Sequence, residues 1–342
     1  TTGIRSRSTT CNHRYTGRKE RSIIHKIVKL KKNIVKTFKI GGVHPSENKF
    51  SAASPIRLAG LPKQAVFSLY QHIGAPAKPV VAKGDDVKVG MMLAEADGFV
   101  SVPVHSSVSG KVSKIDAIVD ASGYRRPAIF VDVEGDEWVE TIDRTPDLVT
   151  LAQRPELTAE DIVNTVKAAG IVGMGGAGFP TAVKLSPKEP EKMEYVIVNC
   201  AECEPYLTSD YRKMLEEPER LIGGLKIALS LFDNARGILA VEDNKPDCIT
   251  RLKHLTKDET KITVKALKTK YPQGSERQLI FAATGRAINS AMLPADAGCV
   301  VDNVATMVSV YQAVVEGKPS MERVVTVSGD AVAEPGNFRV PF

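Results

Sequence analysis

The sequence predicts a two-domain chain: short β-strands first, then an α/β unit whose parallel sheet is covered by helices. Three observations carry that reading. Residues 194–199, 237–242 and 261–267 are short, almost continuously apolar runs of the kind that form buried parallel strands, and helical patterns follow them at 218–232, 246–255 and 275–283. Earlier, residues 83–112 alternate β-branched runs with Gly/Asp turns, which is strand-and-turn chemistry. Between the two regions, five glycines fall within residues 170–178, where neither helix nor strand is favoured.

At 342 residues the chain is long enough for two or three domains with their own cores, and 43% apolar with 25% charged residues is an ordinary soluble balance. No apolar run approaches the ~20 residues needed to cross a bilayer. No apolar leader with a cleavage site opens the sequence. The five cysteines, at 11, 200, 203, 248 and 299, are odd in number and irregularly spaced, which suits a reducing cytoplasm better than a disulfide framework.

Taken in order, residues 1–40 hold twelve of the 46 Lys/Arg and one of the 40 acids, so this segment alone makes the protein basic and the remainder is net acidic. Its first stretch lacks apolar periodicity, and residues 23–34 mix Ile, Val, Leu and Lys in a short basic amphipathic pattern. The segment is read as a disordered extension outside the fold rather than as a nucleic-acid or membrane contact. Residues 41–145 form the all-β domain, closed near Trp138, a packing residue. His105 falls at a strand-like position and is read as a surface or capping residue.

Residues 146–320 form the α/β domain. Thr158 to Asp161 reads as a capping box, and Ile162, Val163, Val166 and Ala169 share one helical face. After the glycines, Pro180 suits a first helical turn, so the loop is expected to end in bare amides that favour an anion, with Lys184 one turn in. Distinctive polar segments stand where parallel sheets bind ligands, beyond the strand ends: Asn199-Cys200-Ala201-Glu202-Cys203-Glu204-Pro205 and Tyr271-Pro272-Gln273-Gly274-Ser275-Glu276. Asp302-Asn303-Val304-Ala305-Thr306 follows. Cys200-x-x-Cys203 has no second pair at ligand spacing, and a cubane cluster needs four thiolates. Residues 321–342 open a further strand.

These segments carry a resemblance. Gly173-x-Gly175-Gly176-Ala177-Gly178-Phe179-Pro180-Thr181-x-x-Lys184, with the three polar segments in the same order, resembles the flavoprotein subunit of respiratory complex I over roughly residues 155–310. Residues 41–49 and the barrel-like region bring the chain closest to the RnfC family, the C subunits of Rnf electron-transport complexes. The all-β region looks like the barrel-sandwich hybrid of biotinyl and lipoyl carriers, with Gly98 in Glu95-Ala96-Asp97-Gly98-Phe99 standing where a carrier lysine would be; an unmodified, structural module is expected. Residues 321–342 look like the truncated start of a β-grasp (SLBB-like) domain.

What the resemblance implies is an NADH-oxidising (or NAD-reducing) FMN module of a membrane-bound complex, peripheral on the cytoplasmic face of the bacterial inner membrane. Hydride would pass to bound FMN with no catalytic side chain. Electrons would run between NAD(H) and ferredoxin through two 4Fe-4S clusters of the full-length subunit, whose ligands this chain lacks. Partners would be the other subunits of the complex and, indirectly, ferredoxin; nucleic acid would not be one. FMN contacts carry over to Gly173, Gly175, Gly176, Ala177, Gly178, Lys184, Asn199, Glu202, Tyr271, Gly274, Asn303 and Thr306, and NADH contacts to Phe179, Glu204 and Glu276. Ala201, Ser275 and Ala305 depart from the complex I pattern at Asp, Glu and Glu respectively. A soluble cobalamin-reductase-like flavoprotein and a docking scaffold with a decayed flavin site are the alternative readings.

Overall fold

The computed structural model describes residues 35–145 and 157–342. The basic stretch before residue 35 and the expected boundary at 146 lie outside the described residues.

Strand β1 (Ile56–Leu58) precedes an all-β domain of β2 (Gln64–Ser68), β3 (Lys78–Pro79), β4 (Asp86–Val87), β5 (Met92–Glu95), β6 (Val104–His105), β7 (Gly110–Val119) and β8 (Arg125–Val133). These strands form two sheets, ordered β2-β8-β7-β4 and β3-β5-β6. Between them lies a core built from inward residues such as Phe67, Leu69, Leu93, Val112, Ile129 and Val131. Alternation accounts for it, since each strand turns one face inward. At the tip of the turn after β5, Gly98 takes φ +115°, Asp97 pairs with Lys78 at 2.8 Å, and Phe99 is exposed.

The second domain runs α1 (Ala159–Ala168), α2 (Thr181–Lys184), β9 (Tyr195–Cys200), α3 (Ser209–Glu216), α4 (Pro218–Leu229), β10 (Arg236–Glu242), α5 (Pro246–Leu255), β11 (Ile262–Leu267), α6 (Glu276–Thr284), β12 (Cys299–Asn303) and α7 (Val304–Glu316). The four strands are parallel in the order β11-β10-β9-β12. Both faces are covered, as expected. Val196, Val198 and Leu239 pack against α1, α4 and α7 on one side, while Ile197, Ile238 and Val301 meet Leu279 and Ile280 of α6 on the other. The capping box is present, with Thr158 accepting from Asp161 N and Asp161 from Thr158 N. Strand β12 and helix α7 escaped the sequence reading. Helix α7 is apolar on nearly all sides, so it shows little amphipathic stripe, and it is buried accordingly.

Two boundaries shift. Residues 35–40 already pack on the α/β unit: Lys36 bridges to Leu267, Thr37 donates to Gln273, and Phe38 is buried beneath the Lys270 ammonium. Composition alone placed them in the extension because residues 1–40 hold twelve Lys/Arg against a single acid. Residues 41–58 lie outside the barrel as well. Strand β1 pairs in parallel with β14 (Gly336–Pro341), which pairs antiparallel with β13 (Glu322–Val327), so the C-terminal hairpin completes a three-stranded sheet with the early chain.

His105 is a correction. It is 7% exposed, its Nδ1 has no hydrogen-bond partner, and burial pushes its pKa down to about 4. A short strand at the domain junction hides a position that strand pattern alone leaves ambiguous. Trp138 does pack near the domain's end, against the cluster of Val89, Ile142 and Met321.

Candidate functional site

The glycine run is a tight turn at 174–177 closed by a bridge between Val172 and Pro180, with Gly173 N donating to Phe179 O at 2.9 Å. Two glycines let the barrel approach: a Cβ on Gly170 would stand 2.4 Å from Pro103 O, and one on Gly178, where φ is +69°, would stand 3.1 Å from His72 Cα. His72 is itself fixed, its ring nitrogens engaged with Ile73 O at 2.8 Å and Val102 N at 3.2 Å. The unmodified barrel thus buttresses the glycine turn. From the other side Thr306, fully buried on α7, accepts from Met174 N at 2.9 Å.

Most of the expected bare amides are engaged. Helix α2 is a single turn, and Thr181 N, Val183 N and Lys184 N all donate to loop carbonyls, at Ile171 and Pro180. Lys184 turns inward, donating to Val301 O at 2.9 Å and standing 3.4 Å from the buried Asp302 carboxylate. Burial pushes Asp302 up to about 6, with Lys184 pulling the other way.

Beyond β9 the chain is held open by lysines. Lys49 Nζ donates to the carbonyls of Glu202, Glu204 and Leu207, and Lys245 Nζ to that of Ala201. Glu202 sits at φ +47°, a conformation unusual for a non-glycine residue. Its carboxylate accepts from Asp210 N at 2.7 Å and Tyr211 N at 3.3 Å, capping helix α3 from outside. Asn199 Nδ2 donates to Gly274 O at 2.8 Å, tying the end of β9 to the Tyr271–Glu276 segment.

These segments enclose a cleft of about 270 Å³ lined by Gly175, Asn199, Glu202, Glu204, Gly274 and Asn303 of the expected site. Its remaining wall comes from α3, α7 and the C-terminal hairpin, including Asp210, Arg323 and Arg339. A second groove of about 240 Å³ lies across the 203–205 segment, lined by Tyr271, Lys268, Lys270 and again Glu204. Gly173, Gly176, Ala177, Gly178, Phe179, Lys184, Glu276 and Thr306 line neither. Gly176 is exposed at the apex of the turn and Glu276 is an exposed first residue of α6.

Sequence reasoning missed Lys49, Asp210, Lys245 and Arg323. Asp210 follows the Asn-to-Pro segment at helical distance, the one signal that marked it; the others arrive from remote segments. Burial pushes Glu202 up to about 7, with the Asp210 carboxylate adding to it, and burial also raises Asp210, with Glu204 adding to it. Cys200 is fully buried, with its thiol pushed up by burial, and Cys203 accepts from Gly274 N at 3.4 Å. Among the described residues no group of three or more His, Cys, Asp or Glu is placed to hold a metal ion. No helix there is long and apolar enough to cross a membrane.

Residues 166–312 match the family described as the Nuo51 FMN-binding domain, and residues 36–136 match the RnfC barrel sandwich hybrid domain. The chain is 43% identical to the C subunit of the proton-translocating ferredoxin:NAD(+) oxidoreductase complex of Clostridium ljungdahlii, covering 90% of this chain and 66% of that protein. It is 42% identical to the Na(+)-translocating counterpart of Acetobacterium woodii, covering 89% of this chain and 68% of that one. The C subunit of the ion-translocating oxidoreductase complex of Haemophilus influenzae (strain Rd) is 35% identical, covering 88% of this chain and 36% of the relative. The chain thus spans about two thirds of the first two relatives and about a third of the last.

The residues present fit a flavin nucleotide. A Cβ on Gly176 would meet nothing within 4 Å, leaving open space over the turn, whereas one on Gly175 would press on Asn303 Nδ2 at 3.0 Å, so backbone and amide already meet at the cleft wall. Carboxylate, amide and guanidinium groups line the cleft itself.

Proposed function

This chain belongs to the RnfC family, the C subunits of ion-translocating ferredoxin:NAD(+) oxidoreductase complexes, and from that premise we propose that its cleft holds FMN for electron exchange with NAD(H). The convergence of Gly175, Asn199, Glu202, Gly274 and Asn303, drawn from four separate segments, on one cleft beyond the carboxyl ends of β9 and β12 carries the reading. Bound there, FMN would supply the conversion between a two-electron hydride donor and one-electron acceptors.

The chain's own residues position and insulate. Asn199 and Asn303 are fastened at both ends of their amides, Nδ2 to Gly274 O and Asp210 and Oδ1 to Ala201 N and Ala305 N, so the second N–H of each costs little further ordering when a ligand arrives. Thr306 acts through the glycine turn, which it anchors by Met174 N. Glu204 lines both openings, so a nucleotide in the groove by Tyr271 would meet the flavin side at that carboxylate. Phe179 and Glu276 would join from the loop and from α6 once a dinucleotide spans the turn.

In the full-length protein the C-terminal hairpin is read as the opening of a β-grasp-like domain, with two 4Fe-4S clusters beyond it. Electrons would then move between NAD(H) and ferredoxin within a membrane-bound complex, with this subunit peripheral on its cytoplasmic face. Titrating the chain with FMN and following flavin absorbance tests the first claim. NADH should then bleach the bound flavin, ferricyanide should restore it, and ferredoxin should stay oxidised. Absence of saturable FMN binding, or rapid ferredoxin reduction by this chain alone, overturns the reading.

A further inference from the structure

The cleft contains three cations, and two are spoken for. Lys213 Nζ stands 2.6 Å from Glu217, and Arg339 bridges Glu217, at 2.7 Å, and Glu322. Arg323, on β13, differs. Among the described residues its guanidinium makes no hydrogen bond and no ion pair; it lies over the Phe342 ring, 4.9 Å away. It is half-buried, and burial lowers its pKa while Asp210 across the cleft acts the other way. A guanidinium withdrawn from water without a counter-ion is costly, and its planar fork suits a phosphate better than any other side chain does.

The helical end of the loop that the sequence suggested as the phosphate cradle is largely engaged within the fold. The amides at its helical end are bonded to Ile171 and Pro180, and Lys184 is held by Val301 and Asp302. We propose that Arg323 of the C-terminal hairpin binds the phosphate of the FMN held in this cleft. The hairpin is then a wall of the flavin site and not only the start of a following domain. Burial keeps Glu202 and Asp210 nearer their neutral forms, which moderates their repulsion of the incoming dianion. The inference rests on the reading of the cleft as the FMN site.

The test pairs FMN with riboflavin, which lacks the phosphate. Both are titrated into the whole chain carrying Arg323→Gln, Arg323→Lys or Phe342→Leu, with flavin fluorescence as readout and a thermal melt as control. Arg323→Gln should weaken FMN binding by about 10- to 100-fold, the worth of a charge-assisted contact, and riboflavin binding by less than about twofold. Arg323→Lys should fall between, and Phe342→Leu should keep the wild-type ratio of FMN to riboflavin affinity. Should Arg323→Gln fail to fold, the ratio in Arg323→Lys decides. Equal losses for both flavins, or none for either, overturn the role of Arg323 while leaving the cleft as the flavin site. A change confined to the NADH concentration needed for bleaching assigns the contact to the dinucleotide's diphosphate and overturns the FMN assignment. Wild-type protein that binds neither flavin removes the site itself.

Discussion

Asn303 donates from Nδ2 to Asp210 Oδ2 at 2.6 Å, joining the end of β12 to the first turn of α3 across the cleft. The same side chain caps α7, its Oδ1 accepting from Ala305 N at 2.8 Å. Because the oxygen is committed to the helix, only the amide nitrogen can face Asp210. Asp would serve the cap equally well. Asn303→Asp should therefore leave α7 capped yet set two carboxylates against each other. Loss of the amide bond and the new repulsion should cost at least about 2 kcal/mol at neutral pH. Its folded-state pKa would be raised, so the loss should shrink as pH falls; a melting-temperature deficit independent of pH would contradict this.

Gly176→Val separates ligand space from fold. Nothing lies within 4 Å of a Cβ there, and the residue is not held at positive φ. Its melting temperature should stay within about 1 °C of wild type, since exposed substitutions seldom exceed ~0.5 kcal/mol. FMN affinity should fall by tenfold or more (about 1.4 kcal/mol). Unchanged FMN titration would place the flavin away from the turn.

Lys184 and Asp302 form a partly buried pair 3.4 Å apart, with the Asp302 side chain fully covered. Lys184→Met should cost about 3–5 kcal/mol, because it strands a buried carboxylate. Adding Asp302→Asn should restore most of that loss. A double variant as unstable as the single one would show that Lys184 matters through its hydrogen bond to the Val301 carbonyl instead.

Glu242 is fully buried, burial pushes its pKa from 4.5 up to about 7, and Oε2 has no hydrogen-bond partner. The folded state therefore binds this proton more tightly than the unfolded state does. The associated stability is complete below about pH 4.5 and is lost as pH rises toward about 7. Glu242→Gln should flatten that slope in a series of thermal melts. Retention of the full slope would assign it to Glu202 and Asp302, which are shifted the same way.

Helix α4 crosses α7 at Gly223 and Gly224. A Cβ on Gly224 would lie 1.9 Å from the Met307 carbonyl oxygen. Alanine would gain up to ~1 kcal/mol in helix propensity but must push the packed helices apart, which typically costs about 1–3 kcal/mol or more. The clash should win, and Gly224→Ala should melt several degrees below wild type. A stabilised variant would mean that the helices separate at little cost.

The parallel sheet was legible because each of β9, β10 and β11 is a short apolar run set off by turns, and three polar segments beyond the strands marked the candidate site. Helix α7 was not, since uniform burial erases the period that distinguishes a helix face. Lys49 and Arg323 were hidden for another reason. Lys49 reaches the Glu202 carbonyl across 153 positions, and nothing local in the sequence records such a meeting. Lys184 shows the converse: its spacing after the glycines suggested an anion, but Asp302, 118 positions on, already holds it.

The pairing of β1 with β14 also sets a schedule for synthesis. Asn337 on β14 donates to the Ser51 carbonyl across 286 positions. At roughly 5–20 residues per second a ribosome needs on the order of 15–60 s to span that interval. Throughout it β1, with Leu58 still 79% exposed even in the finished fold, has no strand to pair with. The last wall of the cleft, which carries Arg323 and Arg339, emerges only at the end of that wait. A nascent chain can thus fold its barrel and most of its parallel sheet well before it has a finished pocket.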